Sequence, residues 1–327
     1  MKSWFAGHRV VIGVVLVVLV VLATGGYVYR IAARPVAQVQ AHSGRLLTLI
    51  DQRGGNDAVA TAELSTADGP RNATGMRCQR VYTAGGTTVC LRLAGVGPTF
   101  EAAVMDSSGK VVKTIPLPGV PSRARVSASG KVVSWTVFVS GDSYVAPGGF
   151  STRTGYYDLR TDTVVESLEV FSSTVEGKPY HAADANYWGL TVGSDDRTFY
   201  ATFLGAGRRW LVKGDLSART LETVRIGPEC PSLSPDGKHV AYKKTTRWVG
   251  RWELAVLDLA TGQERVLPDT SGIDDQAAWL DDNTLAYGAI SGSTGKSSVF
   301  QVPADGSGKP ALVATEASSP VPMSSSS

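Results

Sequence analysis

The sequence predicts an all-β fold: a β-propeller of about six four-stranded blades, preceded by one N-terminal transmembrane helix. Three observations carry this. A strand–turn–strand unit recurs, with turns near Gly86, Gly130, Asp196, Gly237 and Asn283. A second pair of apolar runs follows each unit, which makes four strands per repeat. Finally, the one long uncharged stretch lies near the start of the chain, and no other segment sustains a 3.6-residue apolar period.

The N-terminal stretch is Val10 to Tyr29, VVIGVVLVVLVVLATGGYVY, twenty residues without a charge. That is about the length a helix needs to cross a bilayer. Lys2, His8 and Arg9 precede it, and Arg30 and Arg34 follow, so flanking charge decides little about orientation. We expect an uncleaved anchor at 10–29, a cytoplasmic 1–9 and a linker at 30–43. A cleaved signal peptide is the rival reading. Its apolar core is normally shorter, and only Ala23-Thr24-Gly25 resembles a processing site. Under both readings the domain at 44–314 lies on the extracytoplasmic side of the cell membrane.

The repeats follow in order. GRLLTLIDQRGGNDAVATAEL supplies strands of a sixth blade, or completes the last of five. MRCQRVYTAGGTTVCLRL, Met76 to Leu93, reads as a hairpin turning near Gly85-Gly86. Cys78 and Cys90 flank that turn; paired strands permit a disulfide, and an extracytoplasmic site would let it form. The alternative is two reduced, buried thiols. Cys230 is left over and reads as buried. SRARVSASGKVVSWTV, NYWGLTVGSDDRTFYATF, CPSLSPDGKHVAYKK and DQAAWLDDNTLAYGAI continue the series. In the third of these Ser234-Pro235-Asp236-Gly237 is a turn with a mechanism. Proline presets φ, aspartate bonds back to its own backbone, and glycine accepts positive φ. The turns are separated by 44, 66, 41 and 46 residues, and three of these gaps match one propeller blade. The long gap holds FVSGDSYVAPGGFSTRTG, which reads as an insertion. The tail from 315 to 327, with EASSPVPMSSSS, is Pro/Ser-rich and reads as disordered.

LSPDGKHVAY followed by ELAVLDLATGQERVL resembles the propeller repeat of TolB, the periplasmic protein of the Tol–Pal envelope system. The resemblance covers most of Arg45 to Ala314. With the apolar N-terminal run, the chain resembles the TolB-like translocation proteins of high-GC Gram-positive bacteria. The resemblance is specific for fold and weak for function, since the same repeat occurs in propellers fused to prolyl-oligopeptidase-type peptidases. There is no room for the α/β domain that precedes the propeller in TolB, and an anchor stands where its partner-binding segment would be. The Tol–Pal role is therefore not inherited.

The sequence offers little chemistry. It has no Gly-x-Ser-x-Gly elbow. GAISGSTGKSS imitates a phosphate-binding loop, but its glycine spacing fails and no helix follows. His8, His42, His181 and His239 show no metal-ligand spacing. Acidic pairs fall at Asp195-Asp196, Asp274-Asp275 and Asp281-Asp282, two of them in repeat turns; none makes a strong calcium loop. A net charge of +3 does not argue for nucleic acid. Asn72-Ala73-Thr74 matches a glycosylation sequon, which carries no weight if the source is bacterial. His181 and Asp184 lie between repeats, where connections can reach the mouth of a central channel. Trp135, Trp188, Trp210 and Trp279 read as packing between blades. TTRWVGRW differs: Arg247, Trp248, Arg251 and Trp252 read as an exposed loop suited to protein contacts.

We therefore expect a non-catalytic, membrane-anchored propeller with no cofactor or metal, acting as a scaffold for an envelope protein. The alternatives are a small-ligand or glycan sensor at the channel mouth, marked by aromatic lining, and a propeller-based hydrolase or lyase, marked by clustered His, Asp and Glu.

Overall fold

In a computed structural model the described residues are 17–22, 24, 46–54, 57–95, 97–139, 151–182, 184–246, 252–290 and 295–323. The chain divides into residues 1–39 and residues 40–327. In the first unit positions 17–22 and 24 are helical, and the rest of the expected Val10–Tyr29 anchor lies outside the described residues. Among the described residues no helix is long and apolar enough to cross a membrane.

The second unit is built from six sheets. Its first three strands are β1 (Leu46–Asp51), β2 (Ala58–Glu63) and β3 (Arg71–Arg77). The second blade is β4 (Arg80–Ala84), β5 (Thr87–Leu93), β6 (Phe100–Met105) and β7 (Val111–Leu117). The third is β8 (Val120–Val126), β9 (Val132–Val139), β10 (Ser151–Asp158) and β11 (Thr163–Val165). A hairpin of β12 (Ser172–Val175) and β13 (Lys178–Tyr180) then precedes the fourth blade. That blade is β14 (Asn186–Val192), β15 (Thr198–Gly205), β16 (Arg208–Asp215) and β17 (Thr220–Ile226). The fifth is β18 (Glu229–Leu233), β19 (His239–Thr245), β20 (Trp252–Asp258) and β21 (Glu264–Val266). The sixth is β22 (Ala278–Asp281), β23 (Thr284–Ile290), β24 (Ser297–Pro303) and β25 (Ala311–Ala314). The last strand, β26 (Ala317–Pro322), pairs with β1 and completes the first blade in the order β26-β1-β2-β3.

Strands β26, β4, β8, β14, β18 and β22 are innermost and touch in that cyclic order. The fold is thus a closed six-bladed propeller. Apolar side chains sort into six clusters, each bridging two adjacent blades. Trp135, Trp210 and Trp279 belong to these clusters, as expected, and the Trp279 indole donates to Ser232 O of the neighbouring blade at 2.8 Å. A sheet buried on both faces by its neighbours explains why the inner strands read as apolar runs rather than clean alternation.

Two expectations are corrected. The tail was expected to be disordered from 315, yet Ala317–Pro322 form the closing strand, with Ala317 and Val321 fully buried. Ring closure supplies this strand with partners that its own Pro/Ser composition does not advertise. The fourth sheet has six strands rather than four, because β12 pairs in parallel with the outer strand β17 and β13 follows it. Part of the 66-residue gap is therefore an added edge hairpin turning at Glu176-Gly177, both with positive φ. The Gly/Ser-rich part of the gap, 140–150, lies outside the described residues.

The turns between first and second strands all lie on one face and act as joints. Asp236 accepts bonds from the Ser234 hydroxyl (2.6 Å) and the Lys238 amide (3.0 Å), while its own amide donates to Asp282 of the next blade at 2.9 Å. Gly237 has φ +71°. Ser129 likewise donates to Asp196 across a blade boundary at 2.7 Å. Pro235 needs no amide hydrogen at this position. The Ser-Pro-Asp-Gly stretch is a structural turn. Cys78 and Cys90 form a disulfide with Cα atoms 5.3 Å apart, Cys78 just before β4 and Cys90 on β5. Cys230 is free and buried.

Candidate functional site at the channel mouth

The face opposite those turns is where the six innermost strands begin, and there the chain places charge in its centre. Arg123 and Arg125 sit on β8 two residues apart, so both point to the same side of the strand, into the channel. Their reach is across the ring. The Arg123 Nη2 donates to Asp274 O at 2.6 Å, and the Arg125 Nη2 donates to Gln276 O (2.9 Å) and Ala277 O (2.5 Å). Residues 274–277 precede β22, which stands three places from β8 in a ring of six and hence opposite. Gln276 continues the strut: its Nε2 donates to Gly189 O at 3.3 Å and to Pro231 O, on the two blades between. The Asp275 carboxylate accepts from the Ser319 amide at 3.2 Å on the closing strand and stands 3.7 Å from the Arg123 Nε. Arg80, at the start of β4, donates from Nε to Ser122 O at 2.6 Å.

The electrostatics follow from burial. Arg125 and Gln276 are 9% and 2% exposed. Burial alone would raise the Asp275 carboxyl. The guanidinium charges of Arg123 and Arg80, the Gln276 amide and Arg125 outweigh it and hold the group below the ordinary carboxylate range. Burial draws Arg80 and Arg125 down from the usual arginine value, and the neighbouring charge of Arg123 adds to that. For Arg123 burial works in the same sense, but Cys230, Asp275 and Asp274 outweigh it and hold the group above the usual value. All three arginines stay charged, because guanidinium holds its proton throughout the working range. Arg125 also lies over the Tyr82 ring, 4.5 Å from its centroid. The space left among Arg80, Arg123, Arg125, Asp275, Gln276 and Ser319 is about 10 Å³, room for roughly one water.

Residues singled out in the sequence lie elsewhere. His181 and Asp184 are exposed on the connection from β13 to β14. Asp184 accepts from the Tyr180 hydroxyl, which itself accepts from the Ala206 amide at 2.6 Å, so the connection is tied to its own blade. Neither lines the central space. Arg247, Trp248 and Arg251 lie outside the described residues. Trp252 was read as exposed; it is half-buried, with Lys243 Nζ 4.0 Å from its ring centroid and its indole donating to the buried Glu229 at 3.0 Å. A cation and a carboxylate satisfy its ring face and its N–H, which is why it turns inward. Of the acidic pairs, Asp274-Asp275 is the one that reaches the channel. The reading missed Arg80, Arg123, Arg125 and Gln276. The signal was present in SRARV, where two arginines alternate through a strand whose innermost place otherwise calls for apolar side chains. Among the described residues no group of three or more His, Cys, Asp or Glu side chains is gathered for a metal.

No family model matches the chain, and no curated protein matches it. Solved structures do. TolB from Acinetobacter baumannii superposes with a TM-score of 0.62 and 16% identity over 86% of this chain and 66% of that one, so this chain spans just under two thirds of its length. A nidogen/laminin complex gives a TM-score of 0.56 and 10% identity, covering 85% of this chain and 98% of that one. A putative TolB from Agrobacterium tumefaciens gives 0.50 and 10%, covering 83% and 89%. At such identities the likeness is one of architecture, and the chain has a TolB-like six-bladed propeller fold.

Proposed function

We propose that this protein is a membrane-anchored extracytoplasmic propeller that binds a partner protein of the cell envelope and performs no chemistry of its own, in the manner expected of TolB-like proteins of high-GC Gram-positive bacteria. The observation that carries the reading is the face where the inner strands begin. Its centre is bridged by Arg123, Arg125, Asp275 and Gln276, with about 10 Å³ left among them, too little for an organic substrate. Around that strut Leu93, Val120, Phe138 and Ile290 are exposed at 42–54% on strand ends of the same face. Apolar side chains rimmed by polar ones mark surfaces that associate. The nidogen/laminin structure of similar fold is itself a complex of two proteins. Support for the location comes from the uncharged Val10–Tyr29 run and from the Cys78–Cys90 disulfide, a bond that persists in oxidising compartments.

The test is site-specific photo-crosslinking in intact cells. A crosslinker at Val120 or Phe138 should capture one discrete partner band, and one at Lys238 on the turn face should not. Equal yields from both faces, or none from Val120, Phe138, Leu93 and Ile290, would refute the proposal.

A further inference from the structure

The channel strut holds more positive charge than it neutralises. Arg80, Arg123 and Arg125 contribute three guanidinium charges around one space, and Asp275 returns one. Asp274 offsets the difference only in part: it favours the charged forms of Arg123 and Arg80, but its carboxylate is 63% exposed and pairs with Lys243 at 3.2 Å, a cation that is itself buried. Charges taken out of water are stable only when paired and hydrogen-bonded. Most of the guanidinium bonds here go to neutral carbonyls, Ser122 O, Asp274 O, Gln276 O and Ala277 O. Among the described residues the Nε atoms of Arg123 and Arg125 are buried without a hydrogen-bond partner. Both residues belong to the wall of the same small space, which Arg80 joins from the neighbouring blade.

We propose that this space is a binding site for a small monovalent anion of halide size, chloride in practice, held between Arg80, Arg123 and Arg125. Charge sets the class: a cation would meet three guanidinium groups against one carboxylate. Size narrows the class: about 10 Å³ is room for roughly one water, so a monatomic halide enters with a small outward shift of the guanidinium groups, whereas acetate, phosphate or sulfate needs several times that room. The anion couples elements that are distant in sequence. Arg80 belongs to the second blade, Arg123 and Arg125 to the third, and Asp275 and Ser319 carry the contact to the sixth blade and to the closing strand. Asp275 competes with the anion for Arg123, from which it stands 3.7 Å. The inference is independent of whether the surrounding face binds a partner protein.

The experiment uses the full chain in mild detergent at fixed ionic strength, with gluconate exchanged for chloride, bromide, acetate or phosphate. The expected result is a thermal midpoint that rises saturably with chloride and bromide and is flat with acetate and phosphate. A bromide-soaked crystal should show an anomalous peak among the three guanidinium groups. Arg80→Met should abolish the halide-dependent rise, and Asp275→Asn should shift half-saturation to a several-fold lower concentration. A purely structural strut would instead lose the same stability in every salt. If Arg80→Met fails to fold, the bromide position in the unaltered chain decides. Equal midpoints in chloride and gluconate, a rise with acetate alone, or an anomalous peak away from the arginines would overturn the proposal.

Discussion

Two glycines separate the strain of a turn from the packing of blades. Gly85 and Gly237 both sit in turns between a first and a second strand, with φ of +54° and +71°. A Cβ in that region costs about 1–2 kcal/mol. Around Gly237 an added Cβ would meet nothing within 4 Å, so Gly237→Ala should cost about 1–2 kcal/mol from the backbone alone. At Gly85 the same atom would lie 2.3 Å from Gly130 N and 2.3 Å from the Ser129 carbonyl carbon, both backbone of the next blade. Ordinary contact is about 3.5–4 Å, so the two turns must part by more than an ångström. Overpacking of that kind costs about 1–3 kcal/mol more. Gly85→Ala should therefore total about 2–5 kcal/mol. In thermal melts of the full chain followed by tryptophan fluorescence, Gly85→Ala should unfold well below Gly237→Ala. Coincident melts would refute the claim that these turns form the joints between blades. Asp236→Ala belongs in the same series: it removes acceptors for the Ser234 hydroxyl and the Lys238 amide and should cost about 1 kcal/mol.

Arg71, whose side chain is 1% exposed, bonds Asp51 (2.8 Å), Asp68 (2.9 Å) and Thr315 O just ahead of the closing strand. Arg71→Met should cost about 2–4 kcal/mol, discounted because Asp68 is partly exposed, and amide exchange should quicken first in Ala317–Pro322; uniform exchange rates would sink this. Non-reducing mass spectrometry should find Cys78 linked to Cys90, and Cys90→Ser should lower stability by about 3 kcal/mol from the opened loop; two alkylatable thiols would count against it. Asp51 and Asp275 have folded pKa values below their unfolded ones, despite burial, through Arg53 and Arg71 and through Arg123 and Arg80 respectively. Their contribution is complete above the unfolded value, about 3.9, and is lost as pH falls through the lower folded values. A melting midpoint unchanged between neutral pH and pH 3 would contradict the sign. A reporter active only outside the cytoplasm, fused after Ser327, should be active; activity of a cytoplasm-only reporter there would refute the proposed location.

The propeller was legible because its turns are written in local chemistry. Ser-Pro-Asp-Gly specifies its own conformation, and three of the four gaps in its series of turns are one blade long. The closing strand was not, since Ser318, Ser319 and Pro320 have weak strand preference and the strand is held by pairing of Ala317, Ser318, Val321 and Pro322 with β1, more than 260 residues away. The hairpin of β12 and β13 was missed although Glu176-Gly177 is a turn pair, because the repeat pattern has no slot for a fifth and sixth strand. The site depends on which blades stand opposite each other. SRARV announces two arginines on one side of a strand, but only ring closure sets Asp275 and Gln276 before them.

The position of β26 has a consequence for biogenesis. A chain made from its N-terminus exposes the inner edge of β1 until Ala317–Pro322 have emerged. Until then the ring cannot close, and the bond from Ser319 of the first blade to Asp275 cannot form. Domains otherwise tend to fold as they are synthesised. Under the extracytoplasmic location proposed above, this order of synthesis lets β1 and β2 cross a membrane unfolded before β26 locks the ring.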